Sequence, residues 1–351
     1  MNSFMDFIAL DARDRRGVYE ESANALQTLP VNVEKDFWVC LVLDALFNRK
    51  QSAGAKLLFK GGTSLSKGFS LIKRFSEDID IVVFREDLGF SGEGDPTNRD
   101  IEISNKKRDK LFDKLKEACG TFVHDELAAE LAELLGPMNC IVERAREDVD
   151  GQTLLVSYRS DFSTNKNDYV KRSVRIECGA RSARDPHITI GISPYVATQM
   201  NTDWDLAVPN IRTIAPTRTY WEKILILHGV YCGFRDEVRL PTDPQRLSRH
   251  YYDVAMIGQT PVAAAAHAND ALWADVREHN LVAFRQPWKK FDEAVRGKTR
   301  ITPQAEVRRE LERDYRAMVG MIFGTPPDFD WIVDQLRTIE ELINTERTDH
   351  P

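Results

Sequence analysis

The sequence predicts an α/β (α+β) fold, a mixed sheet flanked by helices, followed by a helical C-terminal domain. Three observations carry that expectation. Apolar residues recur every three to four positions over 6–27 and 33–48, the period of amphipathic helices. Runs between residues 57 and 178 alternate apolar and polar side chains with the period of two that strands impose. Beyond residue 217 the helical period returns and persists. With 351 residues the chain has room for two domains, read as 1–205, with the sheet and the N-terminal helices, and 206–351, all helical.

Taken in order, helices over 6–27 and 33–48 are separated by Pro30. Leu57–Phe59 is a buried strand, Gly61-Gly62 a turn and Ser64–Ile72 a helix. Ile79, Ile81 and Val83 then alternate with Asp78, Asp80 and Val82 in a second strand. Leu88–Asn98, rich in Gly, Asp and Pro, reads as a mobile loop over the site. Amphipathic helices follow at Arg99–Glu117 and Asp125–Leu135, then strands at Asn139–Ala145, Thr153–Tyr158 and Lys171–Cys178, with a polar stretch at Ser160–Asn167. Pro209 and Pro216 frame a linker over 205–216, with a short extended piece inside it. Thr217 is placed to N-cap a helix over Tyr220–Tyr231. Pro241 to Pro244 interrupt the chain before a helix at Gln245–Ile257. Ala263–Ala266, Asn269–Glu278, Pro303–Met321 and Trp331–Thr345 supply the remaining helices, and Trp38 and Trp221 sit on apolar helix faces as core residues.

Composition excludes several function classes. No apolar run approaches the roughly 18 residues that span a bilayer, and the acidic N-terminus carries no cleavage site of a signal peptide. The expectation is a cytoplasmic protein with no membrane partner. Five dispersed cysteines without a CxxC pair point to reduced thiols rather than a disulfide framework or zinc site. A net charge of −7 argues against broad, nonspecific nucleic-acid binding. Local basic patches remain open around Lys67, Lys73 and Arg74, at Lys106-Lys107-Arg108, and at Arg212, Arg218, Arg246 and Arg249.

The chemistry concentrates between Leu57 and Phe84. Gly61 and Gly62 allow backbone to approach a phosphate, and the following helix directs its N-terminus toward the same anion. Asp78 and Asp80, two positions apart on a strand, share one face. Two such carboxylates repel each other unless a divalent cation lies between them, and Mg²⁺ takes oxygen ligands while holding nucleotide phosphates. Thr63 and Ser64 are placed to hydrogen-bond phosphate, while Lys60, Lys67 and Arg74 are the cations nearest the turn. Together these residues describe a metal-dependent nucleotidyl-transfer site.

Five blocks carry a family resemblance. They are Val33 to Val39, Phe59 to Lys67, Arg74 to Asp80, Arg218 to Leu225 and Ser248 to Val254. On them the chain resembles the AbiEii/AbiGii group of abortive-infection nucleotidyltransferase toxins, within the DNA polymerase β-like superfamily. The resemblance runs from about residue 33 to 257. The spacing from Gly62 to Asp78 is longer than is usual in the superfamily, so which of Thr63, Ser64 and Ser66 touches phosphate stays open. The resemblance implies a polymerase-β-like core in which Asp78 and Asp80 ligate two Mg²⁺ ions. It also implies a third carboxylate on a later strand, for which Glu177 is the candidate, as metal ligand or as base for the attacking hydroxyl. The other reading of Glu177 is an acid paired with Arg175 or Arg181. Lys223 and Asp253 match a required lysine and aspartate on the first two helices of the second domain. Lys223 would offer charge to the triphosphate, Asp253 would orient Lys223 or Arg249, and Tyr252 would stack on the base.

The implied activity is transfer of NMP from NTP to an RNA acceptor, the tRNA 3′ end. A toxin so acting, neutralised by a cognate antitoxin encoded nearby, would halt translation during phage infection. A small-molecule or protein acceptor, or nucleotide binding without turnover, are the alternatives.

Overall fold

In a computed structural model the described residues are 3–49, 54–163, 171–199, 204–238 and 246–345. The chain divides into two compact units, Met1–Ile214 and Ala215–Pro351.

The first unit opens with α1 (Ser3–Ile8), α2 (Ala12–Leu26) and α3 (Pro30–Asp44). The helix expected over 6–27 is two helices, because Asp11 caps α2 by accepting a 2.8 Å bond from the Arg13 N–H. Pro30 occupies the first turn of α3, where its missing N–H has no intrahelical partner to lose. From Asn32 to Asp44 every residue of α3 is buried, charged ones included.

β1 (Leu57–Lys60), α4 (Gly61–Thr63) and β2 (Asp78–Val83) form the expected strand–turn–helix–strand unit. A single π turn, Ser64–Gly68, extends α4. The helix stops there rather than at Ile72, because Ser70 takes a left-handed conformation, φ 54°, and Leu71 N–H donates back to Leu65 O at 2.9 Å. Then come α5 (Asn105–Thr121), α6 (Ala128–Leu135), β3 (Ile141–Arg144), β4 (Thr153–Ser157), β5 (Ser173–Gly179), β6 (His187–Ile192), α7 (Tyr195–Gln199) and β7 (Val208–Ile214).

Among the described residues the seven strands join one sheet in the order β3-β4-β5-β2-β1-β7-β6. It is mixed: β2 runs antiparallel to β1 and parallel to β5, and β7 runs parallel to β1. α3 packs against β2, β5 and β7.

Two strands lie where none, or only a short extended piece, was expected. β7 occupies the segment read as a linker, with Val208, Ile211, Thr213 and Ile214 buried, and the first compact unit runs to Ile214. β6 alternates Ile188, Ile190 and Ile192 with His187, Thr189 and Gly191, but as an edge strand it leaves most of these residues exposed. The 88–98 loop is pinned. Arg85 bonds Asp95 at 2.9 Å and the carbonyls of Ala180 and Ser182, and Arg108 donates to the carbonyls of Pro96, Asn98 and Ile101. Of the polar stretch Ser160–Asn167, residues 164–167 lie outside the described residues, as does the break at Pro241 to Pro244.

The second unit comprises α8 (Pro216–Glu237), α9 (Ser248–Gly258), α10 (Pro261–His267), α11 (Asp270–Ala283), α12 (Ala305–Met318) and α13 (Phe329–Asn344). α8 starts one residue before Thr217, with Pro216 in its first turn and Ala215 as the cap. Trp221 stacks on Trp273 at 4.5 Å, and its indole N–H donates to Ala266 O at 3.2 Å. Trp38 stacks on Tyr158 at 4.9 Å in the first unit, so both tryptophans are core. The five cysteines are buried and unbridged, and burial pushes the thiols up, Cys119 to about 12 and Cys140 and Cys232 to about 11. Among the described residues no helix is long and apolar enough to cross a membrane.

Candidate active site

β1 ends at Lys60 and its antiparallel partner β2 begins at Asp78, with Lys60 opposite Asp80. The glycine turn and both carboxylates therefore meet at one end of two adjacent strands. On β2 the buried Ile79 and Ile81 alternate with the half-buried Asp78 and Asp80. Across the parallel pairing Asp80 aligns with Glu177 and Asp78 with Arg175. Paired positions present side chains to the same face, so Lys60, Asp78, Asp80, Arg175 and Glu177 share one face of three neighbouring strands.

Gly61 has φ +79°, and a Cβ there would lie 1.8 Å from Asp80 Oδ2. Only glycine lets the backbone lie against that carboxylate. A Cβ on Gly62 would fall 2.8 Å from Ser76 Oγ and 2.9 Å from Arg74 Nη2. The turn is thus fitted between the Asp80 carboxylate and the buried Arg74 guanidinium, which also donates to Phe75 O. Lys60 donates to Ser182 Oγ at 2.9 Å.

The hydroxyls of the turn face inward. Thr63 donates to Asp78 O at 2.5 Å and lies 2.9 Å from Ser76 Oγ, Ser64 donates to Gly61 O at 2.8 Å, and Ser66 donates to Thr63 O at 3.3 Å. Thr63 and Ser64 are fully buried. Their protons go to local carbonyls, so Thr63 clamps the turn to β2 and Ser64 closes the turn on itself, instead of presenting hydroxyls to a phosphate.

Lys67 also departs from its expected place. Its ammonium lies 2.9 Å from Asp36 Oδ1 and 3.5 Å over the Tyr195 ring, in a buried ion pair. The acyclic stem of Lys67 points from the π turn toward α3, which removes the charge from solvent. Asp36 also accepts the Tyr195 N–H at 2.6 Å. Burial raises the Asp36 carboxyl above its ordinary range, with Lys67 and that N–H opposing the rise. The neighbouring Lys35 pairs with Glu77 at 2.5 Å, and Glu34 accepts from Ser160 Oγ and Asp161 N–H. Glu34, Lys35 and Asp36 were not picked out as site residues from the sequence. Their signal was three consecutive charges inside an otherwise apolar helix.

Glu177 is paired with Arg175, as one of its two readings has it. It lies on the face of Asp80, and its Oε1 is 2.7 Å from Arg175 Nε while 45% of the side chain stays exposed. Arg175 also reaches Glu147 at 2.8 Å, whereas Arg181 sits over the Phe112 ring. Among the described residues no three His, Cys, Asp or Glu side chains converge closely enough to grip a metal ion. The donor chemistry nevertheless suits Mg²⁺: hard carboxylate oxygens from Asp78 and Asp80, with Glu177 at the paired position and the missing Cβ of Gly61 letting the Asp80 carboxylate lie against the turn.

In the second unit Lys223 on α8 lies 2.9 Å from Asp253 on α9 and 3.4 Å from His250 Nδ1, with side-chain exposures of 7% for Lys223 and 0% for Asp253. Asp253 thus holds Lys223, while Arg249 donates to Arg246 O at 3.1 Å. Tyr252 corrects an expectation. It is fully buried, so its ring packs the helical core and offers no face to a base.

A sequence model of the nucleotidyl transferase AbiEii toxin family, type IV toxin–antitoxin system, matches residues 44–335. The match spans Asp78, Asp80, Glu177, Lys223 and Asp253 and reaches well past residue 257. Among solved structures the chain is similar to MenT4, a nucleotidyltransferase toxin from Mycobacterium tuberculosis H37Rv, with 15% identity and a TM-score of 0.48 over 95% of this chain and 91% of that one. No curated protein sequence matches. With most of its length matched, glycine turn and acidic strand included, the chain belongs to the AbiEii nucleotidyltransferase toxin family and is a nucleotidyltransferase of the toxin–antitoxin kind.

Proposed function

We propose that the protein transfers a nucleoside monophosphate from an NTP to an RNA acceptor, the 3′ end of tRNA, with Mg²⁺ as cofactor. The close approach of the Gly61 backbone to Asp80, at the strand end shared with Asp78, is the observation that carries this reading. It brings the glycine turn and two hard ligands together. Mg²⁺ held by Asp78 and Asp80, two ions where Glu177 joins them, would neutralise phosphate charge and acidify the acceptor hydroxyl.

The chain's own residues do the rest. Gly61 and Gly62 admit the triphosphate against backbone, Lys60 and Arg74 supply positive charge at the turn, and Thr63, Ser64 and Ser66 keep the turn rigid. Glu177 takes the acceptor hydroxyl proton after leaving Arg175, an exchange that an exposed ion pair permits cheaply. The acceptor oxygen bonds to the α-phosphorus, the α–β phosphoanhydride bond breaks, and pyrophosphate leaves. Lys223, oriented by Asp253, is the further cation assigned to the triphosphate. Acting in the cytoplasm, the modified tRNA would arrest translation and phage growth until the antitoxin intervenes.

Incubation with each labelled NTP, Mg²⁺ and total RNA tests this. Label in tRNA is expected, and Asp80→Ala should lose at least about 10³-fold in rate together with toxicity. The net charge of −7 favours a less anionic acceptor, so label in protein or small molecules instead would replace the RNA reading. An Asp80→Ala toxin as lethal as the parent would sink nucleotidyl transfer as the cause of toxicity.

A further inference from the structure

We infer that Lys35 and Asp36 are positioning residues that hold the acidic strand and the glycine turn in register from the buried side of α3. This rests on the nucleotidyl-transfer reading but is independent of the acceptor. Lys35 reaches Glu77, 42 residues along and immediately before Asp78. Asp36 reaches Lys67, in the π turn that follows Gly61 to Thr63, and also the backbone of Tyr195. Two adjacent residues of one helix therefore grip both halves of the candidate site. All four charged groups are buried, with side-chain exposures between 2% and 7%.

Burial makes these tethers stiff. A buried pair broken on one side strands a charge, whereas its joint replacement by apolar side chains of similar volume often leaves stability intact. If these pairs were only structural, an apolar replacement that folds would act like the parent. If they position Asp78, the same replacement loosens the metal ligands, and support residues of this kind are worth about 10–100-fold in metal affinity.

The experiment compares the parent, Lys35→Met/Glu77→Leu, Lys35→Arg and a core control, Phe37→Leu, on the same fully buried helix. Mn²⁺ binding is read by electron paramagnetic resonance, and pyrophosphate release is followed across a Mg²⁺ titration. Expected for the double variant is a melting temperature within a few degrees of the parent, with Mn²⁺ affinity and half-saturating Mg²⁺ both shifted about tenfold or more. Lys35→Arg should recover part of that shift, and Phe37→Leu should lower the melting temperature without any. A folded double variant with parental Mn²⁺ affinity and Mg²⁺ dependence overturns the inference. Should the double variant not fold, Lys35→Arg decides alone: unchanged metal dependence overturns the inference, and a shifted one supports it. A parent that binds no Mn²⁺ defeats the metal-dependent reading itself, and the positioning role with it.

Discussion

Around β1 and β2 the charges are buried in pairs, whereas on β5 they stand in solvent. Lys35–Glu77 and Lys67–Asp36 are closed off from water, but Glu177 holds Arg175 with nearly half its surface exposed. Lys223–Asp253 in the helical unit belongs with the first kind. The same chemical types thus do opposite jobs. Buried pairs have no competing water and fix geometry, while an exposed pair is worth at most about 1 kcal/mol and can trade partners. The proposed mechanism, with two fixed ligands and one group that changes partner, would use both kinds.

The strongest challenge to that contrast is Asp253→Ala, which leaves the Lys223 ammonium buried without its carboxylate. A loss of about 3–5 kcal/mol is expected from urea titration of the full chain. A loss below about 1 kcal/mol would mean that burial does not separate the two kinds.

Gly61→Ala comes next. The φ of +79° and the approach to Asp80 together should cost about 1–3 kcal/mol and displace the carboxylate, with transfer falling far more than stability. Rates and melting curves on one preparation distinguish these. Arg175→Ala should change stability by less than about 1 kcal/mol and leave transfer intact or faster, because it frees Glu177. A large fall in rate would show that Arg175 itself serves the reaction.

The gentlest probe is pH. His228 is buried, donating from Nε2 to Lys290 O at 3.1 Å and accepting the Arg300 N–H on Nδ1 at 3.1 Å, and burial lowers its pKa below the ordinary 6.5. The folded state resists protonation that the unfolded chain accepts. Stability from this group is therefore complete above about 6.5 and is lost as pH falls toward the folded value. His228→Gln should flatten that part of the stability profile, which melting temperatures across pH 5 to 7.5 would record.

The glycine turn, the Asp78–Asp80 alternation and both core tryptophans were legible because each is a local pattern. A period of two fixes a shared face, and a glycine pair before a helix marks a close approach. Lys67, Thr63 and Tyr252 were not legible, since their orientation depends on partners elsewhere. Asp36 lies 31 residues from Lys67, and Thr63 meets a carbonyl 15 residues on. β7 carried strand-like alternation, but Pro209 and Pro216 disguised it as a linker, and β6 offered too little buried surface to stand out.

The pairing of Asp36 with the backbone of Tyr195 has a consequence for biosynthesis. These groups are 159 residues apart, and β1 lacks its β7 neighbour until residue 214 has been made. A ribosome must therefore have translated most of the first unit before the sheet beneath the candidate site is complete. Any product terminated before residue 214 lacks an intact β7 beside the glycine turn, so the sheet under the candidate site is a late achievement of synthesis.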